Sequence, residues 1–326
     1  MPLLLSRSDL SPLAADDDAL DSAIDAVEAS TIQCHSGDRA QTVFTGLDLA
    51  NGDELAAQLV SLASGPASLR VFPNRVKGER PDAWLGIQLD GTTGAVDSMI
   101  ALDDFNVLRT SVPAAVGVRH LAPPDATTLT VLGSGPQARS HVRTIRRVMP
   151  GLEHLKIWSP SQESRTAFGA DLRARLGGEV RVSVAATLDE AVAGADVITA
   201  AGRYSHGEPA ADPGSVRPGA LLVSMTGAGG NLLERGARLA VPTARRPELV
   251  AFGFASGFIG DPPPPAPADA LELADVITGE VPARASRTDT IVFELAAPYP
   301  WDVPILAWIR AWADKQRVGT AFSFSG

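Results

Sequence analysis

Residues 128–141 read TLTVLGSGPQARSH, and how this stretch is read decides the fold. A short apolar run, Leu129 to Leu132, ends at a glycine. Gly133, Gly135 and Ala138 then make G-x-G-x-x-A directly after a strand and at the opening of a helix, the context in which the motif carries weight. Gly133 permits the tight turn, Gly135 lets backbone approach a pyrophosphate, and Ala138 allows a helix to pack closely on its strand. The helix N-terminus offers unbonded N–H groups to phosphates. The loop of Gly133, Ser134, Gly135, Pro136 and Gln137 is therefore the expected dinucleotide cradle. The bland alternative is a glycine turn with no ligand.

The sequence downstream supports the first reading. TTLTVLG, HLKIW, VRVSVA, ADVITA, GALLVSM and ELVAFG are short runs rich in Val, Ile and Leu. Stretches of helical character at 136–149, 161–176 and 187–193 separate them. Alternation of strand and helix predicts a parallel sheet covered on both faces. The expected class is α/β, a Rossmann-type doubly wound parallel sheet with a second α+β domain. DPPPPAP at 261–267 reads as a stiff extended connector.

Upstream the pattern is mixed. Leu20, Ile24 and Val27 share one helical stripe, with Asp16, Asp17 and Asp18 near the positive end of the helix dipole. Leu55, Leu59 and Leu62 are in helical phase, so a helix is expected over 53–64, stopped by Gly65. SLRVF at 68–72 and WLGIQLD at 84–90 read as strands, and GTTG at 91–94 turns the chain into AVDSMIAL, an antiparallel hairpin. The segment 103–121 reads as helical through Phe105, Leu108, Val112 and Val116, with Pro113 expected to kink it or mark its start.

Composition narrows the function. The 326 residues, 45% hydrophobic and 20% charged, can bury a full core in about two domains. The net charge of −10 argues against nonspecific binding to a phosphate backbone, which needs clustered Lys and Arg, so no nucleic-acid partner is expected. Cys34 is the only cysteine; it forms no intramolecular disulfide and belongs to no metal or redox motif, which fits a reducing cytoplasm. The opening MPLLLSRSDLSP is too short in apolar residues for a signal-peptide core, and no run approaches about 18 apolar residues, so neither export by this route nor membrane insertion is expected. His35, His120, His141 and His154 show no metal-ligand spacing, and no metal is expected.

The second strand's end bears on the nucleotide. In LKIWSPSQESR the position for a ribose-binding carboxylate, roughly 20 residues beyond the motif, falls near Ser159. No acid there would repel a 2′-phosphate. Ser159 and Ser161 can donate hydrogen bonds and Arg165 can pair with the charge. NADP is expected over NAD, against the alternative of a solvated loop and helix start.

LGIQLDGTTGAV, LRTSVPAA, HLAPPDATTLTVLGSGPQARSH, TLDEAVAGADVITAA, RPGALLVSMTGAGG, DVITGEVPAR and TIVFE together resemble the ornithine cyclodeaminase/mu-crystallin family. The resemblance spans roughly residues 68 to 300 and is specific for the family, whose activities are diverse: cyclodeaminases, dehydrogenases, ketimine reductases and a hormone-binding crystallin. It implies a substrate-binding and dimerisation domain of residues 1–122 plus 297–326, a dinucleotide domain of 123–296, and a homodimer.

The resemblance also implies site residues. Arg109 in LRT matches the arginine that grips the substrate carboxylate, a task suited to a guanidinium fork; the alternative is a solvent-facing helix arginine. The family's catalytic lysine falls on Arg70 in SLRVFPN. Arginine can bind an anion or polarise a carbonyl, but it does not shuttle protons near neutrality. Lys77 in the following loop is a substitute, or simply solvated. His206, just after the fourth strand of the parallel sheet, is a candidate proton donor. Ala200, Thr226 and Gly227 stand at strand ends expected to approach the cofactor. Asp302 in YPWDVPIL reads as a helix N-cap. The cyclodeaminase carboxylate in SMTGAGGN falls on Gly229, so ornithine cyclisation is disfavoured. The expected function is an NAD(P)H-dependent oxidoreductase of a C=N or C–N bond in a small carboxylate. The alternatives are a redox-neutral cyclodeaminase with retained NAD and a catalytically degenerate NADPH-dependent binding protein.

Overall fold

The computed structural model describes residues 1–35, 40–62, 65–75, 84–202, 211–225, 228–242, 270–295 and 300–323. The chain divides into two compact units, Met1–Arg109 with Pro300–Gly326, and Thr110–Tyr299. The expected runs ELVAFG and DPPPPAP lie outside the described residues.

The second unit is built on an eight-stranded sheet. Its strands are β7 (Thr128–Leu132), β8 (His154–Trp158), β9 (Arg181–Val184), β10 (Val197–Ala200), β11 (Leu221–Ser224), β12 (Arg238–Val241), β13 (Leu271–Glu272) and β14 (Ile291–Glu294). They lie in the order β13-β12-β14-β11-β10-β7-β8-β9, and every pairing is parallel. All four residues of β10 and of β11 are buried, as expected for strands covered on both faces. The crossover stretches form α4 (Pro136–Val148), α5 (Gln162–Leu176) and α6 (Leu188–Val192), so the α/β alternation read from the sequence is the fold. From β7 the chain runs outward through β8 and β9, then returns to β10 on the other side. That reversal makes the carboxyl ends of β7 and β10 the switch point where ligands bind in open α/β sheets.

Helix α3 (Leu108–Leu121) carries Pro113 inside it. The missing N–H leaves the Arg109 carbonyl without its helical donor, yet the helix begins five residues earlier and continues through the proline. From Thr110 onward it packs with the parallel sheet: a Cβ on Gly117 would lie 2.2 Å from the Phe293 ring on β14, and Ser111 Oγ lies 2.7 Å from Ser140 Oγ on α4. This packing places the division at 109/110 and 299/300.

The first unit has a seven-stranded sheet ordered β15-β1-β6-β5-β4-β3-β2, from β1 (Leu3–Leu5), β2 (Ala40–Asp48), β3 (Glu54–Leu62), β4 (Pro66–Arg75), β5 (Leu85–Asp90), β6 (Val96–Ala101) and β15 (Thr320–Ala321). Strands β2 to β6 are antiparallel, and the β5–β6 hairpin forms as expected. Helices α1 (Arg7–Ala15), α2 (Ala19–His35) and α9 (Asp302–Gln316) belong to this unit; α9 packs against α2 and β3 to β5.

The helix expected over 53–64 is instead strand β3, paired along its length to β2 and β4. The burial explains the error. Glu54, Ala56, Gln58, Val60 and Leu62 face inward while Leu59 is exposed, so the three leucines in helical phase do not share a face. Two polar residues on the covered side hid the period of two, and pairing on both edges overrode the local pattern. Two short helices, α7 (Gly230–Leu233) and α8 (Leu273–Thr278), also belong to the second unit. Among the described residues no helix is long and apolar enough to cross a membrane.

Candidate active site

In the second unit the loop after β7 has the shape a dinucleotide cradle needs. Gly133 has φ +136°, and a Cβ there would lie 2.9 Å from the Ala201 carbonyl oxygen. Both conformation and space therefore require glycine. Gly135 is the N-cap of α4 with no side-chain cap, and nothing lies within 4 Å of where its Cβ would stand. That open space next to uncapped N–H groups fits a pyrophosphate. Ala138 is fully buried against the strand. Gln137 Oε1 accepts a 2.7 Å hydrogen bond from Thr110 Oγ1, and Ala200, the last residue of β10, is buried at the same sheet edge.

The residues expected to read the ribose end are brought together. Ser134 Oγ donates to Ser159 Oγ at 3.1 Å, and Ser159 Oγ donates to the Ser161 carbonyl at 3.2 Å. Ser161 caps α5, accepting from Ser164 N. Arg165 donates to the carbonyls of Ser159 at 2.7 Å and Ala186 at 3.3 Å. Carbonyls hold the guanidinium in place without neutralising it, so its charge remains available to an anion. Thr226, Gly227, Lys77 and His206 lie outside the described residues.

The first unit contains a buried charged cluster. Arg70 projects from β4 to the covered face and is 2% exposed. Its Nη2 donates to Gln58 Oε1 at 2.8 Å and its Nη1 to Asn106 Oδ1 at 3.1 Å. Its Nε lies 3.1 Å from Asp302 Oδ2, an ion contact off the line of a hydrogen bond, and its guanidinium stacks 4.0 Å above the Phe72 ring. Arg109 Nε donates to Asp302 Oδ1 at 3.0 Å and its Nη2 to Gln58 Oε1 at 3.4 Å. Two guanidinium groups share one carboxylate, leaving one net positive charge.

The electrostatics follow from that stoichiometry. Burial, reinforced by repulsion from Arg109 and opposed by Asp302, lowers the Arg70 guanidinium to about 9, so it is still a cation at neutral pH. Burial pushes the Asp302 carboxyl upward, but attraction to Arg70 and Arg109 and the hydrogen bond from Arg109 outweigh it and hold the group below the ordinary carboxylate range. Arg109, with a side chain 20% exposed, is the arginine of the pair that reaches solvent. It is not an ordinary solvent-facing helix arginine.

Asp302 does not cap its helix. Trp301 occupies the N-cap, and Asp302 is the first residue of α9 and 5% exposed. An acid in the first turn favours the helix dipole, yet its side chain is spent on the two arginines. The sequence reading missed Asp302, Gln58 and Asn106 as cluster members. The signal that could have found an acid was Arg70, since a guanidinium on the covered face of a strand needs a carboxylate partner.

Gly229 opens α7 in the second unit. A Cβ on it would lie 2.3 Å from Val292 Cγ1 and 2.9 Å from Cγ2. Any side chain here, a carboxylate included, would require the Val292 side chain to move.

The Ornithine cyclodeaminase/mu-crystallin family model matches residues 74–297. The chain is 28% identical over 182 residues to Delta(1)-pyrroline-2-carboxylate reductase of Paracoccus denitrificans, covering 54% of this chain and 56% of the relative. It is 35% identical over 144 residues to L-lysine cyclodeaminase of Streptomyces rapamycinicus, covering 43% and 40%. The matches therefore span about half the length of these relatives. The crystal structure of the iminosuccinate reductase of Paracoccus denitrificans in complex with NAD+ superposes with a TM-score of 0.80 at 19% identity, covering 99% of each chain, and shows the shared fold.

Proposed function

The chain belongs to the ornithine cyclodeaminase/mu-crystallin family, and within it we propose an NAD(P)H-dependent oxidoreductase acting on the C=N or C–N bond of a small amino-acid-derived carboxylate, of the imine or ketimine reductase or amino-acid dehydrogenase type. The relatives include both reductase and cyclodeaminase, so their names do not choose between the reactions. The packing at Gly229 supports the reductase: the Val292 side chain occupies the space that a Cβ at 229 would need, and without a carboxylate there the substrate amine lacks that proton acceptor.

When bound, the nicotinamide cofactor supplies the hydride. Gly133 and Gly135 admit its pyrophosphate, and the N-terminus of α4 binds it. Ser134, Ser159, Ser161 and Arg165 favour a 2′-phosphate, which makes NADP the proposed form. Arg109 anchors the substrate carboxylate through the net positive charge of the cluster. Arg70 backs it as a fixed cation, because its donors are spent on Gln58 and Asn106 and its Nε lies against Asp302. The proton comes from His206, Lys77 or water. In this reading residues 123–296 bind the dinucleotide, and 1–122 with 297–326 bind substrate and form a homodimer. Supporting the dimer, Val43 and Leu59 are opposed in register on β2 and β3 and are 59% and 42% exposed, with Leu47 at 66%; such apolar patches mark interaction surfaces.

The test is a cyclic imino acid offered with NADPH or NADH while reduced-nicotinamide absorbance is followed. The expected result is one NADPH consumed per imine, slower use of NADH, and no ammonia from L-ornithine. Ammonia release without net absorbance change would establish the cyclodeaminase instead. NADPH binding without turnover of any imine would establish the binding protein.

A further inference from the structure

The amino-terminal edge of the parallel sheet carries a second concave site that this chemistry does not use. The segments entering β7, β11 and β14 line a cavity of about 320 Å³, whose polar wall is Arg217, Arg284, Arg287, Ser286 and Asp125, with Pro123 and Pro124 beside them. The dinucleotide loop follows β7, so the cavity and the cradle sit at opposite ends of the strands.

Three guanidinium groups and one carboxylate line the cavity; Asp196, outside the lining, pairs with Arg217, which leaves Arg284 and Arg287 with Asp125 as the carboxylate of the lining. Arg284 is locked in position. Its Nε and Nη2 donate to the Leu121 carbonyl at 3.2 and 2.7 Å, and its Nη1 to the carbonyls of Gly219 at 2.8 Å and of Asp289. Neutral acceptors orient this cation without cancelling it. Burial lowers its pKa below the usual arginine range, with Asp289 opposing and Arg217 adding to the effect. Two further carboxylates stand nearby and offset part of this charge. Asp196 pairs with Arg217 and accepts from Thr127 N and Thr128 N at 2.8 and 2.9 Å. Asp289 accepts from Ala285 N and Ser286 N at 2.8 and 3.0 Å. Arg287, 86% exposed, meets Asp125 only at 3.6 Å and can turn toward an anion.

We propose that this cavity binds a small phosphate-bearing anion, free phosphate or a phosphate monoester, independently of the dinucleotide. Converging guanidinium forks match the geometry of phosphate oxygens, a proline pair gives one rigid wall, and the Ser286 hydroxyl adds a donor. The anion would relieve the repulsion between Arg217 and Arg284.

Titration calorimetry of the full chain, with inorganic phosphate and separately with glycerol 3-phosphate, each with and without saturating NADPH, tests this. Phosphate is expected to bind with NADPH already in place and to weaken as sodium chloride is added. Arg287→Glu is expected to weaken it by about tenfold or more, the loss of one charged hydrogen bond, while NADPH affinity is unchanged. Equal binding of glycerol 3-phosphate identifies the phosphoryl group as the part recognised; binding of inorganic phosphate alone restricts the site to the free ion. Binding of neither probe, heat that disappears once NADPH is bound, or heat unchanged in Arg287→Glu overturns the proposal.

Discussion

The two sheets use their covered faces differently. In the parallel sheet the central strands are dry: β10 and β11 are buried throughout with Val, Ile, Leu, Ala and hydroxyl residues, and His141, buried beside them, is held neutral. In the antiparallel sheet the covered face holds Gln58, Arg70 and, against them, Asp302 and Arg109. The outer face leaves Val43, Leu47 and Leu59 exposed. A sheet covered on both sides makes a stiff frame that leaves uncapped backbone N–H groups at the loop before α4. A sheet covered on one side is where this chain keeps a buried charged cluster and an exposed apolar face.

The largest effect that would break this contrast concerns the charge cluster. Asp302→Ala leaves two arginines without their carboxylate, and the expected loss is about 3–5 kcal/mol of unfolding free energy in urea titrations. A loss below about 1 kcal/mol would mean that the arginines are solvated and the cluster is not a buried one.

A smaller effect probes the parallel sheet. His141 on α4 is fully buried, with Nδ1 2.7 Å from Thr199 Oγ1 on β10, and burial lowers it from 6.5 to about 3. Its folded value lies below its unfolded value, so the unfolded chain takes up the proton first. The stability is fully present above pH 6.5 and is lost as pH falls through the window down to about 3. Between pH 6.5 and 5 the expected loss is about 2 kcal/mol. His141→Asn should flatten that part of the profile, measured by urea unfolding across pH; an unchanged slope would show that His141 titrates freely.

The smallest effect on folding tests the open face. Leu47→Lys is expected to change chain stability by no more than about 0.5 kcal/mol while converting a dimer to a monomer in sedimentation. A dimer that survives the lysine would place the interface elsewhere.

Legibility in the sequence follows the same division. Strands β7, β8, β9, β10 and β11 and helices α4, α5 and α6 were readable because fully buried strands are continuous apolar runs and each crossover carries its own helical stretch. Gly133 and Gly135 were readable because glycine at fixed spacing encodes a backbone shape. Strand β3 was not, since Glu54 and Gln58 on its covered face broke the alternation. Asp302 was not, because an acid before an apolar helical run is the ordinary mark of an N-cap.

Local spacing by itself determined the parallel α/β frame and the phosphate-type loop, since each depends on residues within a few positions of one another, while the missing acid at Gly229 is what the family resemblance implies. Only the tertiary structure decided that Arg70, Arg109 and Asp302 form one cluster, and that Val292 fills the space beside Gly229. Arg109 and Asp302 stand 193 residues apart, and no periodicity or motif links them. Burial and charge balance brought them together, and these are properties of the packed chain.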